Sequence, residues 1–125
     1  MHLNINSFSE NIIKIANETN FYGESGQYNC FASVVGICGD KMDFFLFVKD
    51  NIIEDVKFYT TGCISSKACG NTAAKFIFGK NIYDALKLSP KIILDELKDL
   101  PCEYHHCSIL SCITIYKALG EYFVK

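Results

Sequence analysis

The sequence has no concentration of positive charge. Its 12 Lys and Arg residues are outnumbered by 14 Asp and Glu, which gives a formal net charge of -2 and a pI near 5.9. No cluster of basic residues interleaves with aromatic ones, so the chain presents no electrostatic footprint for a phosphate backbone. Nucleic acid is therefore not expected as a partner.

Long apolar runs are also missing. Residues 1–18 lack the basic start and continuous apolar run of a secretory signal, and the apolar stretches elsewhere are too short to cross a bilayer. We therefore expect no membrane partner and a cytoplasmic location. No internal repeat, low-complexity segment or linker interrupts the 125 residues, which predicts one domain over residues 1–125.

The chain has seven cysteines but no CxxC pair, so zinc-ribbon and thioredoxin-type sites have no support. An odd number of thiols in a chain expected to be intracellular favours metal or sulfur chemistry over a disulfide framework. With 50% hydrophobic and 21% charged residues, the composition is that of a chain that folds.

The spacing of apolar residues predicts an α+β fold. A first amphipathic helix over residues 7–17, capped by Ser7 or Ser9, precedes a loop over residues 20–29 that is rich in Gly and Asn. Three strand-like runs joined by short turns then predict an antiparallel meander over residues 30–35, 42–48 and 52–59.

Beyond Gly62 the apolar spacing becomes helical. One helix is expected to end at Gly79, and others are expected over residues 81–88, from Ser89-Pro90 to Leu97, and over 106–122. The class is α+β, a three-stranded antiparallel sheet with helices packed on one face. The last helix is expected to contribute its apolar residues to the core, namely Ile109, Leu110, Ile113, Tyr116, Ala118 and Leu119.

Three cysteines fall at the ends of predicted elements. Cys38 lies in the turn between the first two strands, Cys63 at the junction from strand to helix, and Cys107 at the start of the last helix. A turn leaves a thiol accessible and a helix N-terminus stabilises a thiolate, so these positions suit soft-metal ligands. Asp40 and His106 flank two of them. Three thiolates with one exchangeable carboxylate or imidazole would bind Zn(II) or a [2Fe-2S] cluster and leave one corner labile.

Three separate motifs resemble one protein family. CGD at 38–40, TGC at 61–63 before a helix of small residues, and HCSIL at 106–110 resemble the U-type iron-sulfur cluster scaffolds, the IscU and NifU N-terminal-domain type. The resemblance implies a scaffold, rather than an enzyme, that assembles a [2Fe-2S] cluster and passes it to apo iron-sulfur client proteins. Two further segments look like the family's hairpin and the segment after its helix: IIEDVKF at 52–58 and GKNIYDAL at 79–86.

The resemblance also implies roles for individual residues. Cys38, Cys63 and Cys107 are the expected ligands of the cluster or of zinc, and Asp40 and His106 compete for the remaining coordination. Cys107 is the expected acceptor of persulfide sulfur from a cysteine desulfurase. Zn(II) or Fe(II) are alternative occupants, so a zinc-binding sulfurtransferase that accepts persulfide on Cys107 stays open as an alternative. Relatives occur as monomers and as cluster-bridged oligomers, which leaves a homo-oligomer open too.

Two segments depart from the family pattern. Residues 100–104 read LPCEY, whereas bacterial scaffolds carry LPPVK, the segment that a dedicated Hsp70-type chaperone grips. The Pro pair and the Lys are absent, which weakens the expectation of a chaperone partner. Residues 17–24 read NETNFYGE in place of the family's Asn-Pro-Arg-Asn run, so desulfurase docking is expected to differ.

For the other cysteines and the neighbouring polar residues, a structural role must be weighed against a functional one. Cys30, Cys69 and Cys112 are expected in the core, because free Cys packs as a small hydrophobe. Cys102 is either a surface residue or a persulfide relay and spare ligand. A Cys-His hydrolase is not expected, because no oxyanion or third-member signal accompanies His106 and Cys107. Two residues remain as solvated neighbours that could assist the thiolates, namely His105 and Lys67.

Overall fold

The computed structural model describes residues 8–24 and 27–124. A three-stranded antiparallel sheet in the order β1-β2-β3 is packed against α-helices, which confirms the α+β class. Each predicted element is present within a few residues of its expected bounds. The elements are α1 (Glu10–Ala16), β1 (Cys30–Val35), β2 (Lys41–Lys49), β3 (Ile52–Thr60), α2 (Ile64–Ile77), α3 (Ile82–Ala85), α4 (Pro90–Glu96) and α5 (His106–Phe123), with a 3-10 turn at Cys102–Tyr104.

The sheet is a meander whose two turns lie at opposite ends and have different surroundings. Asp50 and Asn51 join β2 to β3 with φ of 53° and 64°, the left-handed pair that matches the twist of a two-residue hairpin. At the opposite end of the sheet, Val35 pairs with Lys41 and Met42 pairs with Thr60. The turn between β1 and β2 and the end of β3 therefore lie side by side.

Polar side chains cap the starts of α1, α3 and α4. Ser9 caps α1, with its Oγ accepting from the Ile12 amide at 3.1 Å, while Ser7 lies outside the described residues. Asn81 and Ser89 cap α3 and α4 in the same way. The predicted end of α2 is also confirmed, since Gly79 has a φ of 79° just after the helix.

The core lies between one face of the sheet and helices α1, α2 and α5. Met42, Phe44 and Leu46 of β2 are fully buried on that face, and α2 and α5 both contact the sheet. Phe58 of β3 stacks on Phe44 with ring centroids 5.5 Å apart. No helix within the described ranges is long and apolar enough to cross a membrane.

The predicted core face of α5 is partly wrong. Ile109, Ile113 and Tyr116 are 49%, 45% and 39% exposed, whereas Leu110, Ala118 and Leu119 are buried as expected. The buried stripe instead includes Ser111 and Thr114, whose hydroxyls donate to the Cys107 and Leu110 carbonyl oxygens at 3.1 and 2.7 Å. Because the helix backbone satisfies these hydroxyls, they are buried at little cost, and hydropathy alone places the stripe wrongly. Tyr116 donates its hydroxyl to the Leu88 carbonyl oxygen.

Candidate functional site

One end of the sheet brings together the three cysteines at element ends. Cys38 is exposed in the β1–β2 turn, Cys63 is the partly exposed N-cap residue of α2, and Cys107 is 2% exposed in the first turn of α5. Backbone bonds hold the first two elements in register, because the Thr61 amide donates to the Lys41 carbonyl at 3.1 Å. The three thiols therefore share a corner of the molecule.

Hydrogen bonds connect two of the thiols through the first turn of α2. Ser65 Oγ lies 3.6 Å from Cys63 Sγ and 3.3 Å from Cys107 Sγ. Ser66 Oγ lies 3.6 Å from the same Cys107 sulfur. The start of α2 thus places two hydroxyls between thiols that come from different helices.

Asp40 connects the remaining thiol to this corner. Cys38 Sγ donates to Asp40 Oδ2 at 3.4 Å. A Cβ atom added at Gly62 would meet that Asp40 oxygen at 2.9 Å and Ser66 Oγ at 2.3 Å. The absent side chain of Gly62 is therefore what lets the carboxylate and the serine hydroxyl approach the same point.

The two adjacent histidines have different surroundings. His106 Nε2 lies 3.7 Å from Cys107 Sγ. His105 Nε2 lies 3.1 Å from the Leu100 carbonyl oxygen, so a hydrogen bond holds its ring against the preceding loop. The structure therefore gives the sulfur contact to His106.

Burial is the main influence on the ionisation of Cys107. It raises the pKa of the thiol, hydrogen bonds from Ser65 and Ser66 lower it, and the nearby Cys38 and Cys63 thiols raise it again. A metal cation at this corner would lower the pKa of the Cys107 thiol, because a positive charge favours the thiolate.

The donor types fit a soft or borderline metal, although they are not preassembled around one. No group of three or more His, Cys, Asp or Glu side chains able to hold a metal ion stands ready-made in residues 8–24 and 27–124. Three thiols, a carboxylate and an imidazole nevertheless suit zinc or an iron-sulfur cluster.

The family model for the NifU-like N-terminal domain matches residues 11–125. The chain belongs to this family. The iron-sulfur cluster assembly scaffold protein IscU 1 of Archaeoglobus fulgidus is 39% identical over 89 residues, which cover 71% of this chain and 58% of that protein. Iron sulfur cluster assembly protein 1 of Trachipleistophora hominis is 38% identical over 107 residues, which cover 80% of this chain and 77% of that protein.

The fold of this NifU-like chain also matches a solved structure. The N-terminal NifU-like protein of Brucella abortus superimposes with a TM-score of 0.78 at 14% identity, over 97% of this chain and 98% of that one. The resemblance to U-type scaffolds is therefore confirmed for family and fold. The chain spans a little over half the length of the Archaeoglobus relative.

The remaining cysteines divide as expected between core and surface. Cys30, Cys69 and Cys112 are buried, and burial raises the pKa of Cys112 to about 12. Cys102 is exposed on the 3-10 turn before α5. Lys67 makes a cation–π contact with Tyr22, because its Nζ lies 5.1 Å from the centre of the Tyr22 ring.

Sequence reasoning did not find three parts of the site. Ser65 and Ser66 contact the Cys107 sulfur, and Gly62 provides the space beside them. The sequence indicates Gly62 only as part of the TGC motif and as the point where helical spacing begins. The available signal was the run of small residues directly after TGC. Small polar residues at a helix start are common caps, so that signal does not single out a sulfur contact.

Proposed function

We propose that this protein is a scaffold on which a [2Fe-2S] cluster is assembled and from which it is transferred to apo-proteins. The observation that carries the proposal is that three separate elements bring Cys38, Cys63 and Cys107 to one corner. Ser65 contacts both Cys63 and Cys107, Asp40 lies beside Cys38, and His106 lies beside Cys107. Membership of the NifU-like family supports it, as do relatives that are named iron-sulfur cluster assembly scaffolds. The chain acts as a carrier, and the cluster is its cargo.

Cys107 is the proposed entry point for sulfur. Its thiolate would attack the outer sulfur of a persulfide on a cysteine desulfurase, so that one S–S bond forms on Cys107 while the desulfurase leaves as a thiolate. The position of Cys107 supports this choice, because a sulfur delivered there arrives beside Cys63 across Ser65. Since the Cys107 side chain is 2% exposed, the corner must open for the desulfurase persulfide to reach it. Mass spectrometry should find one added sulfur atom on Cys107 after incubation with desulfurase and cysteine.

Anaerobic reconstitution tests the scaffold proposal. Iron, cysteine and a cysteine desulfurase should give a visible chromophore with acid-labile sulfide, and Cys38→Ala, Cys63→Ala or Cys107→Ala should abolish it. Cys112→Ala is the matched control, since this buried thiol lies on the same helix as Cys107 and should leave the chromophore intact. A chromophore that survives all three site substitutions would contradict the proposal.

Asp40 is proposed to keep the cluster exchangeable. A carboxylate oxygen is a harder ligand than a thiolate and holds iron less durably. Asp40→Ala should therefore lengthen the lifetime of the bound cluster in an anaerobic chelator challenge, whereas Asp84→Ala, at an exposed position of α3, should not change it. An unchanged or shorter lifetime for Asp40→Ala would refute this role.

A zinc-binding sulfurtransferase is the second candidate, favoured by the same donor set, because three thiols and a carboxylate also satisfy tetrahedral zinc. It would accept persulfide on Cys107 as an intermediate. The metal and acid-labile sulfide content of anaerobically purified protein separates the two. Stoichiometric zinc without sulfide, in protein that still accelerates the desulfurase, would favour the second candidate.

The proposed partners are a cysteine desulfurase and apo iron-sulfur client proteins. An Hsp70-type chaperone is a weaker proposal, because Cys102 and Tyr104 stand in the LPCEY segment where the family carries its chaperone signal. The Tyr104 ring packs on the Phe8 ring with centroids 4.8 Å apart, so this segment contacts the chain two residues before α1. Such packing makes the segment less available as an extended peptide.

A further inference from the structure

Two buried hydroxyls contact the sulfur of Cys107 directly. Ser65 and Ser66 are 1% and 0% exposed, and their Oγ atoms lie 3.3 and 3.6 Å from Cys107 Sγ. Ser65 also lies 3.6 Å from Cys63 Sγ, so one hydroxyl spans two proposed ligand thiols. These contacts involve the reactive atoms themselves.

The buried hydroxyls of α5 behave differently. Ser108, Ser111 and Thr114 of α5 all donate to carbonyl oxygens of residues three or four positions earlier. That is the usual way in which a helix satisfies a buried Ser or Thr. Ser65 and Ser66 differ from these residues, because their hydroxyls contact a sulfur atom of another helix.

Packing also fixes where the Ser66 hydroxyl lies. Its oxygen occupies the space that a side chain on Gly62 would need, only 2.3 Å from the position of an added Cβ. The hydroxyl is thus confined between Gly62 and the Cys107 sulfur. Side chains that surrounding packing confines in this way give a site a fixed geometry.

We propose that Ser65 and Ser66 are positioning residues that hold the Cys107 sulfur at the shared corner, with Ser65 also setting its distance from Cys63. This inference rests on the proposed function, because it concerns the sulfur that would accept persulfide and bind the cluster. A hydroxyl both donates and accepts, so it can pair with a thiol in the resting protein and donate to the same sulfur once that sulfur binds a metal.

Co(II) binding to the reduced 125-residue chain provides the test, since thiolate-to-cobalt charge-transfer bands report directly on the bound sulfur. A net hydrogen bond contributes about 1 kcal/mol, so Ser65→Ala and Ser66→Ala should each weaken Co(II) binding about fivefold and shift these bands. Ser65→Thr retains the hydroxyl and should restore both. Ser111→Ala is the matched control, because its hydroxyl bonds the Cys107 carbonyl and not the sulfur.

The outcomes separate this inference from the scaffold proposal. Unchanged affinity and bands in Ser65→Ala and Ser66→Ala, an equal effect of Ser111→Ala, or no Co(II) binding by the unsubstituted chain would each overturn the positioning role. Anaerobic reconstitution of the same preparations supplies the second readout. If the cobalt results hold while no variant and no unsubstituted protein forms a cluster, the positioning role stands and the scaffold proposal fails.

Discussion

At the scale of single residues, Gly62 carries more of the site than its place at a helix boundary suggests. A methyl group there would meet Ser66 Oγ and Asp40 Oδ2, and Ser66 is fully buried. Gly62→Ala should therefore lower the free energy of unfolding by roughly 1–3 kcal/mol, the usual cost of overpacking. It should also weaken Co(II) or Zn(II) binding by displacing both side chains.

The matched control is another glycine of the same chain. A Cβ added at Gly120, inside α5, would have no neighbour within 4 Å. Gly120→Ala should keep or raise stability by up to about 1 kcal/mol, because Ala has the higher helix propensity. Urea denaturation measures both variants, and equal effects on stability would contradict the steric argument for Gly62.

Cys112 makes stability depend on pH in the alkaline range. Burial raises the pKa of its thiol from 9.0 to about 12, so the folded protein keeps this proton while the unfolded chain loses it. The contribution is complete below about pH 9 and is lost as pH rises toward 12, with a slope of at most about 1.4 kcal/mol per pH unit. Cys112→Ala should flatten the fall in urea stability between pH 8 and pH 10, and an unchanged slope would refute this.

At the scale of elements, helix α5 separates what the sequence predicts from what it cannot. Its bounds follow from the apolar spacing and from Pro101, yet the sequence places Ile113 in the core although it is 45% exposed. The helical periodicity of apolar residues can be detected in a single sequence. Its rotation depends on which neighbours it packs against, and buried hydroxyls that bond their own helix hide the true stripe.

A pair of substitutions on α5 checks this rotation. Ile115 is fully buried, so Ile115→Ala should cost about 2–5 kcal/mol through lost burial and the cavity it leaves. Ile113→Ala lies on the exposed side and should cost less than about 1 kcal/mol. Thermal or urea unfolding compares the two, and similar losses would show that α5 is rotated from its position here.

At the scale of the whole molecule, the site depends on long-range topology. The predicted strands and helices place Cys38, Cys63 and Cys107 at element ends, and the meander brings the first two together through the pairing of Met42 with Thr60. The buried contact of Ser65 with Cys107 joins α2 to α5, which no local pattern encodes. The sequence thus predicts the candidate ligands, while the tertiary fold supplies the hydroxyls between them.

Because the proposed ligands come from three elements, metal binding should stabilise the whole fold. A ligand that binds only the folded state stabilises it by about 2.7 kcal/mol at a hundred times its dissociation constant. Zn(II) should therefore raise the Tm of the reduced protein, and a chelator should reverse the rise. Cys38→Ser should remove the shift with little effect on the metal-free Tm, because Cys38 is exposed, whereas a shift retained in Cys38→Ser and Cys107→Ser would place the zinc elsewhere.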